Sequence, residues 1–171
     1  MENIDNIYKI MILYMLDNIK YPLSNSQITN FMLLKDYTTY FPVQQALMDL
    51  ESSALIIAET SYNRTRYSIT TEGRETLNFF ENKINDSVKE DILNYFSEHE
   101  FEIKEENFVY ADYYKASGGG YGVVCRTGRR DKPAMEIKLT VANKEQAQVI
   151  CKNWKKQSNE VFALLMDNLL I

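Results

Sequence analysis

The chain has 171 residues, 45% hydrophobic and 25% charged, with a formal net charge of −5. That balance fits a globular protein with enough apolar content for one large core or two small ones, and it excludes a disordered chain. It also conditions any nucleic-acid role, because phosphate neutralisation needs Lys and Arg, and residues 1–90 carry 8 basic against 12 acidic residues, residues 91–171 carry 11 against 12.

From Ile4 to Ile19 the apolar residues are too dense for one stripe, which predicts a first helix covered on several sides, by its own domain and by any partner. The segment lacks a basic leader and a small-residue cleavage site, and its apolar run is too short to span a bilayer. The expectation is a cytoplasmic protein with no membrane partner. Tyr21-Pro22-Leu23 breaks this helix, and Ser24 with Gln27 forms an S-x-x-Q capping box that opens a second helix carrying Ile28, Phe31, Met32 and Leu34. Lys35-Asp36-Tyr37 reads as its exit. Thr39 is the expected cap of a third helix, with Pro42 in the first turn and Val43, Ala46, Leu47, Leu50 and Ala54 on one buried face. Gln44, Gln45, Met48, Asp49 and Ser52 fall opposite.

A short apolar run, Leu55-Ile56-Ile57-Ala58, then meets the turn former Asn63 and the alternating segment Tyr67-Ser68-Ile69-Thr70, which predicts a β-hairpin. A two-stranded hairpin alone is marginal in water, so it leans on the flanking helices. Arg64 and Arg66 are placed at or beside its tip. Thr70 or Thr71 caps a fourth helix whose stripe is Leu77, Phe80, Ile84, Val88 and Ile92, reaching toward Phe96, with Asn85-Asp86-Ser87 as a point where it divides.

The second half is strand-rich. Phe108 to Lys115, Tyr121 to Thr127 and Ala134 to Val141 read as three strands, the last alternating Met135, Ile137, Leu139 and Val141 against Glu136, Lys138 and Thr140. A three-stranded antiparallel meander follows, joined through Ser117-Gly118-Gly119-Gly120 and through Thr127 to Pro133. Asn143 with Gln146 opens a long final helix carrying Ala147, Ile150, Cys151, Trp154, Val161, Phe162, Leu165 and Leu169. One face of that helix covers the sheet and the rest is available to another subunit.

The ending Tyr67, Ile69, Thr70, Gly73 and Leu77, a Y-x-[IL]-T-x-x-G-x-x-x-L pattern behind three helices and a basic hairpin, resembles the winged helix-turn-helix domains of PadR- and MarR-like bacterial regulators. The whole chain also resembles a clostridial winged-helix family catalogued as a domain of unknown function. The resemblance implies an α+β fold: a winged helix-turn-helix domain over residues 1–84, then a connecting helix, a three-stranded antiparallel sheet and a long helix over 85–171 for assembly or sensing. It implies a DNA-binding transcriptional regulator acting as a homodimer, with double-stranded DNA as partner. The third helix would enter the major groove, placing Thr38, Thr39, Tyr40, Gln44, Gln45 and Met48 near bases or phosphates, with Arg64 and Arg66 on the wing. No Lys or Arg occurs between Asp36 and Asn63, and Ala54 stands where these domains often place glycine.

Those features motivate a rival, a protein-interaction module that kept the fold without DNA binding. A third reading takes Phe108, Tyr110, Tyr113, Tyr114 and Tyr121 as the lining of an effector pocket, although aromatic strands are more often core. Arg126, Arg129, Arg130 and Lys132 form a secondary basic cluster, either a second phosphate-contacting element or a solvated turn. Gly118 to Gly122 lacks the Lys-Ser/Thr of a phosphate loop. His99 stands apart from other catalytic types, and Cys125 and Cys151 are too isolated for a disulfide framework. The expectation is therefore no enzyme, no cofactor and no metal.

Overall fold

The computed structural model describes residues 2–61, 64–129 and 131–170. It is a mixed α+β structure in which helices and a first sheet precede a second sheet and a long terminal helix. The elements are α1 (Glu2–Asn18), β1 (Leu23–Ser24), α2 (Asn25–Leu34), α3 (Tyr40–Ser52), β2 (Ile56–Ser61), β3 (Arg64–Ile69), α4 (Thr71–Phe80), a 3-10 turn (Glu81–Lys83), α5 (Asp86–Phe108), β4 (Val109–Lys115), β5 (Tyr121–Gly128), β6 (Pro133–Val141) and α6 (Lys144–Leu169).

Two compact units divide the chain within α5, after Ile103. The boundary expected between residues 84 and 85 lies earlier in the chain. The difference has a packing cause: Ile92, Phe96 and Ile103 of α5 are buried with the first core.

In the first unit, Ile10 to Leu16 are buried without interruption, so this stretch of α1 is enclosed on every side by its own chain. Its apolar density is thereby accounted for without a second subunit. The capping box forms as its spacing predicts: Gln27 N–H donates to Ser24 Oγ at 3.1 Å, and Ser24 N–H donates to Gln27 Oε1 at 2.8 Å. Ser24 also belongs to β1, which pairs antiparallel with β3 in the register Leu23 with Tyr67 and Ser24 with Arg66. The sheet order is β1-β3-β2.

Helices α2 and α3 end alike. Tyr37 N–H reaches Met32 O at 3.0 Å and Asp36 N–H reaches Leu33 O at 3.1 Å; Leu55 N–H reaches Leu50 O at 2.9 Å and Ala54 N–H reaches Glu51 O at 3.0 Å. Both are Schellman motifs. The residues in the left-handed position are Asp36 (φ 54°) and Ala54 (φ 56°), where glycine is usual.

The second unit is the expected meander, β4-β5-β6, all antiparallel. Val123 and Cys125 of β5 face Ala147 and Trp154 of α6, with Met135, Ile137 and Val141 packed around them. Leu139 departs from the expected alternation and is 43% exposed on edge strand β6. Asn143 caps α6, accepting from Gln146 N–H at 2.9 Å.

Candidate functional site

The Tyr67 to Leu77 pattern acquires a physical meaning at the corner where β3 turns into α4. Thr70 Oγ1 accepts from Gly73 N–H at 2.9 Å, capping α4, and lies 2.8 and 3.0 Å from the carbonyl oxygens of Ala54 and Leu55. A Cβ on Gly73 would stand 2.1 Å from Leu55 O and 2.8 Å from Ile69 Cγ1. Glycine is therefore required by close backbone approach. Tyr67, Ile69 and Leu77 are buried beneath this corner, which ties α4 to the exit of α3.

Helix α3 buries Val43, Ala46, Leu47 and Leu50 and turns another face outward. On that outer side Tyr40, Phe41 and Met48 are 51%, 81% and 63% exposed. Tyr40 and Phe41 meet edge to face, with ring centroids 5.6 Å apart. Thr38 is half-buried, and Thr39 is the exposed N-cap, whose side chain makes no capping hydrogen bond.

Two of the residues placed on the reading face are engaged elsewhere. Gln44 Nε2 donates to Asn25 Oδ1 at 3.1 Å and to Thr29 Oγ1 at 3.0 Å, while its Oε1 accepts from Asn25 Nδ2 at 2.7 Å. It positions α3 on α2 and is not free to read a base. Gln45 donates to Asp49 Oδ1 at 2.8 Å, and Asp49 Oδ2 is 2.7 Å from Lys9 Nζ. The Lys9 ammonium, with help from Gln45, holds the Asp49 carboxyl below its ordinary range.

The turn between α2 and α3 is clamped to α5. Asp91 accepts from the Tyr37 hydroxyl and from Lys35 Nζ, the latter at 3.2 Å. These two donors lower the Asp91 pKa, while burial and then Asp91 push the Tyr37 phenol up to about 12.

The two hairpin arginines have different fates. Arg64 is exposed, but Arg66 is 4% exposed, in register with Ser24 of β1. The structure sets Arg66 within β3, beside Ser24 of the neighbouring strand β1, and not at an exposed tip. Elsewhere in this unit Arg74 pairs with Asp17 at 3.0 Å and Lys89 with Glu81 at 2.9 Å.

Two members of the secondary cluster are matched with acids. Arg126 Nε donates to Glu136 Oε2 at 2.6 Å across the β5–β6 register, and its guanidinium lies 5.8 Å from the centroid of the Tyr110 ring. Arg129 forms a fork to Asp131 at 3.0 and 3.1 Å. Lys132 is exposed, and Arg130 lies outside the described residues. The aromatic strands are used in packing, with Tyr113 and Tyr121 meeting edge to face at 6.2 Å.

A family model described as "Domain of unknown function (DUF4364)" matches residues 8–169. The chain belongs to that family. No curated protein and no solved structure matches it. The DUF4364 match runs through both units, so the corner, the α3 face and the sheet covered by α6 all lie inside the family region.

Among the described residues of this DUF4364 chain, no group of three or more His, Cys, Asp and Glu is gathered as a metal ion requires. No described helix is long and apolar enough to cross a membrane. Two residues were missed in the sequence. Phe41 was discoverable, because it shares a stripe with Gln45 and Met48 at helical spacing. Lys9 was not, since its link to Asp49 joins positions distant in the chain.

Proposed function

We propose that the first unit is a winged helix-turn-helix domain and that the chain is a cytoplasmic, DNA-binding transcriptional regulator. In this reading α3 addresses the major groove and the β2–β3 hairpin addresses the flanking backbone. The observation that carries it is the strand order β1-β3-β2 around consecutive helices α2 and α3, a framework that presents the second helix of the pair outward. The uncapped start of α3 adds support, because its first amides are suited to a phosphate oxygen.

Charge limits the strength of this contact. Helix α3 carries no cation and Arg66 is buried, so binding neutralises few phosphates, and the logarithm of the affinity falls against log salt with a slope of about −1 to −2. Exposed Leu164, Leu169 and Leu170 at the end of α6 support action as a homodimer. Light scattering that gives a monomer at micromolar concentration removes that part.

A second reading, a protein-interaction module on the same face, is favoured by one observation: Tyr40, Phe41 and Met48 form an exposed, uncharged surface. Titration of random and genomic duplexes at low and high salt separates the two. The regulator predicts salt-sensitive binding weakened severalfold by Arg64→Ala and by Tyr40→Ala/Phe41→Ala. Absence of binding at low salt overturns it in favour of the interaction module.

A further inference from the structure

A cavity of about 190 Å³ opens within the first unit, bounded by α1, α4, the end of α3 and the 3-10 turn. Ile10, Leu13 and Phe80 give it an apolar wall, and Asn6, Lys9 and Lys83 contribute polar lining. None of the described residues lining it is acidic. Its size is near that of a cavity of about 150 Å³ known to hold benzene, so it accommodates an apolar body of about six carbon atoms. The Lys83 ammonium stands 4.7 Å from the centroid of the Phe80 ring. The Lys9 ammonium ends on Asp49 of α3 at 2.7 Å.

An apolar chamber lined by two lysines, of which Lys83 has no acidic side chain in the lining and Lys9 is shared with Asp49, suits an amphiphilic anion, because the body gains from leaving water and the head gains charge-assisted hydrogen bonds. We infer that this cavity binds a short-chain fatty carboxylate, with its chain against Leu13 and Phe80 and its head between Lys9 and Lys83. The head group shares Lys9 with Asp49, and Asp49 in turn holds Gln45 at 2.8 Å on the outer side of α3. Occupancy is thereby transmitted to the α3 surface through one ion pair. The regulatory meaning of that coupling rests on the proposed role of α3; the binding itself does not.

The test is a titration of the full chain, isotopically labelled for NMR, with hexanoate. Hexanol keeps only the apolar body and acetate only the head. Saturable hexanoate binding is expected, about tenfold tighter than hexanol, with no saturation by acetate. The side-chain amide signals of Gln45 should move with the same midpoint as the backbone signal of Leu13. Lys83→Ala, at an exposed position, should weaken hexanoate about tenfold while leaving the unfolding midpoint unchanged. Hexanol binding as tightly as hexanoate, an unaffected Lys83→Ala, or no saturable hexanoate binding overturns the site. A Gln45 signal that stays still while Leu13 moves overturns the coupling. Failure of duplex binding with hexanoate still bound and Gln45 still moving removes the DNA role of α3 and upholds this site.

Discussion

Helices α1 and α6 are built on opposite plans. Helix α1 has 17 residues and is buried continuously from Ile10 to Leu16, whereas α6 has 26 residues and buries only Ala147, Trp154 and Ser158. Length therefore says nothing about structural weight here. The shorter helix is the axis around which the first unit packs. The longer one is a cover, and the second core depends on one large side chain pressed between α6 and β5.

That contrast can be broken experimentally. Trp154→Ala should have the largest effect, about 4 kcal/mol in denaturant unfolding, because the indole is 6% exposed and its N–H donates to Arg126 O at 3.0 Å. A loss below about 1 kcal/mol would show that the second unit does not rest on this residue. Gly73→Ala should follow, costing about 3 kcal/mol, since the added methyl meets a backbone carbonyl and not a flexible chain. Ala54→Gly should act in the opposite direction, raising the stability of the first unit by about 0.5 kcal/mol, because relief of the left-handed strain exceeds the added chain entropy.

The smallest effect concerns acid. In the folded chain Tyr37 and Lys35 lower the Asp91 pKa from its ordinary 3.8. As pH falls, the unfolded chain takes up this proton first, so the stabilisation is complete above that value and is lost as pH drops through the lowered one. Urea midpoints measured down the acid range should fall more steeply for the parent than for Asp91→Asn. Equal slopes would show that the clamp between α5 and the α2–α3 turn carries no proton-linked stability.

Much of the architecture was legible because it was local. The Ser24–Gln27 and Asn143–Gln146 spacings encode caps, and the alternation through Met135, Ile137 and Val141 encodes a one-faced sheet. Strand β1 escaped notice because two residues are too few to alternate, and Ser24 already carried another signal. The continuation of α5 from Ser97 to Phe108 was hidden because its sequence is dominated by Glu and shows no apolar stripe. The site was less legible than the fold. Arg66 is paired with Ser24 of a strand far away in the sequence, and the engagement of Gln44 depends on Asn25 and Thr29 of a different helix. Such pairings are set by packing between distant segments, which helical or strand periodicity does not record.

Trp154 is also the sole tryptophan in the chain. Its emission is consequently an optical label for the second unit alone, already installed in a buried setting against the Arg126 carbonyl. Helical circular dichroism instead averages over both units. Superimposed unfolding curves from the two signals would mean that the halves melt as one cooperative body, and separated curves would assign each transition to its half without any added dye.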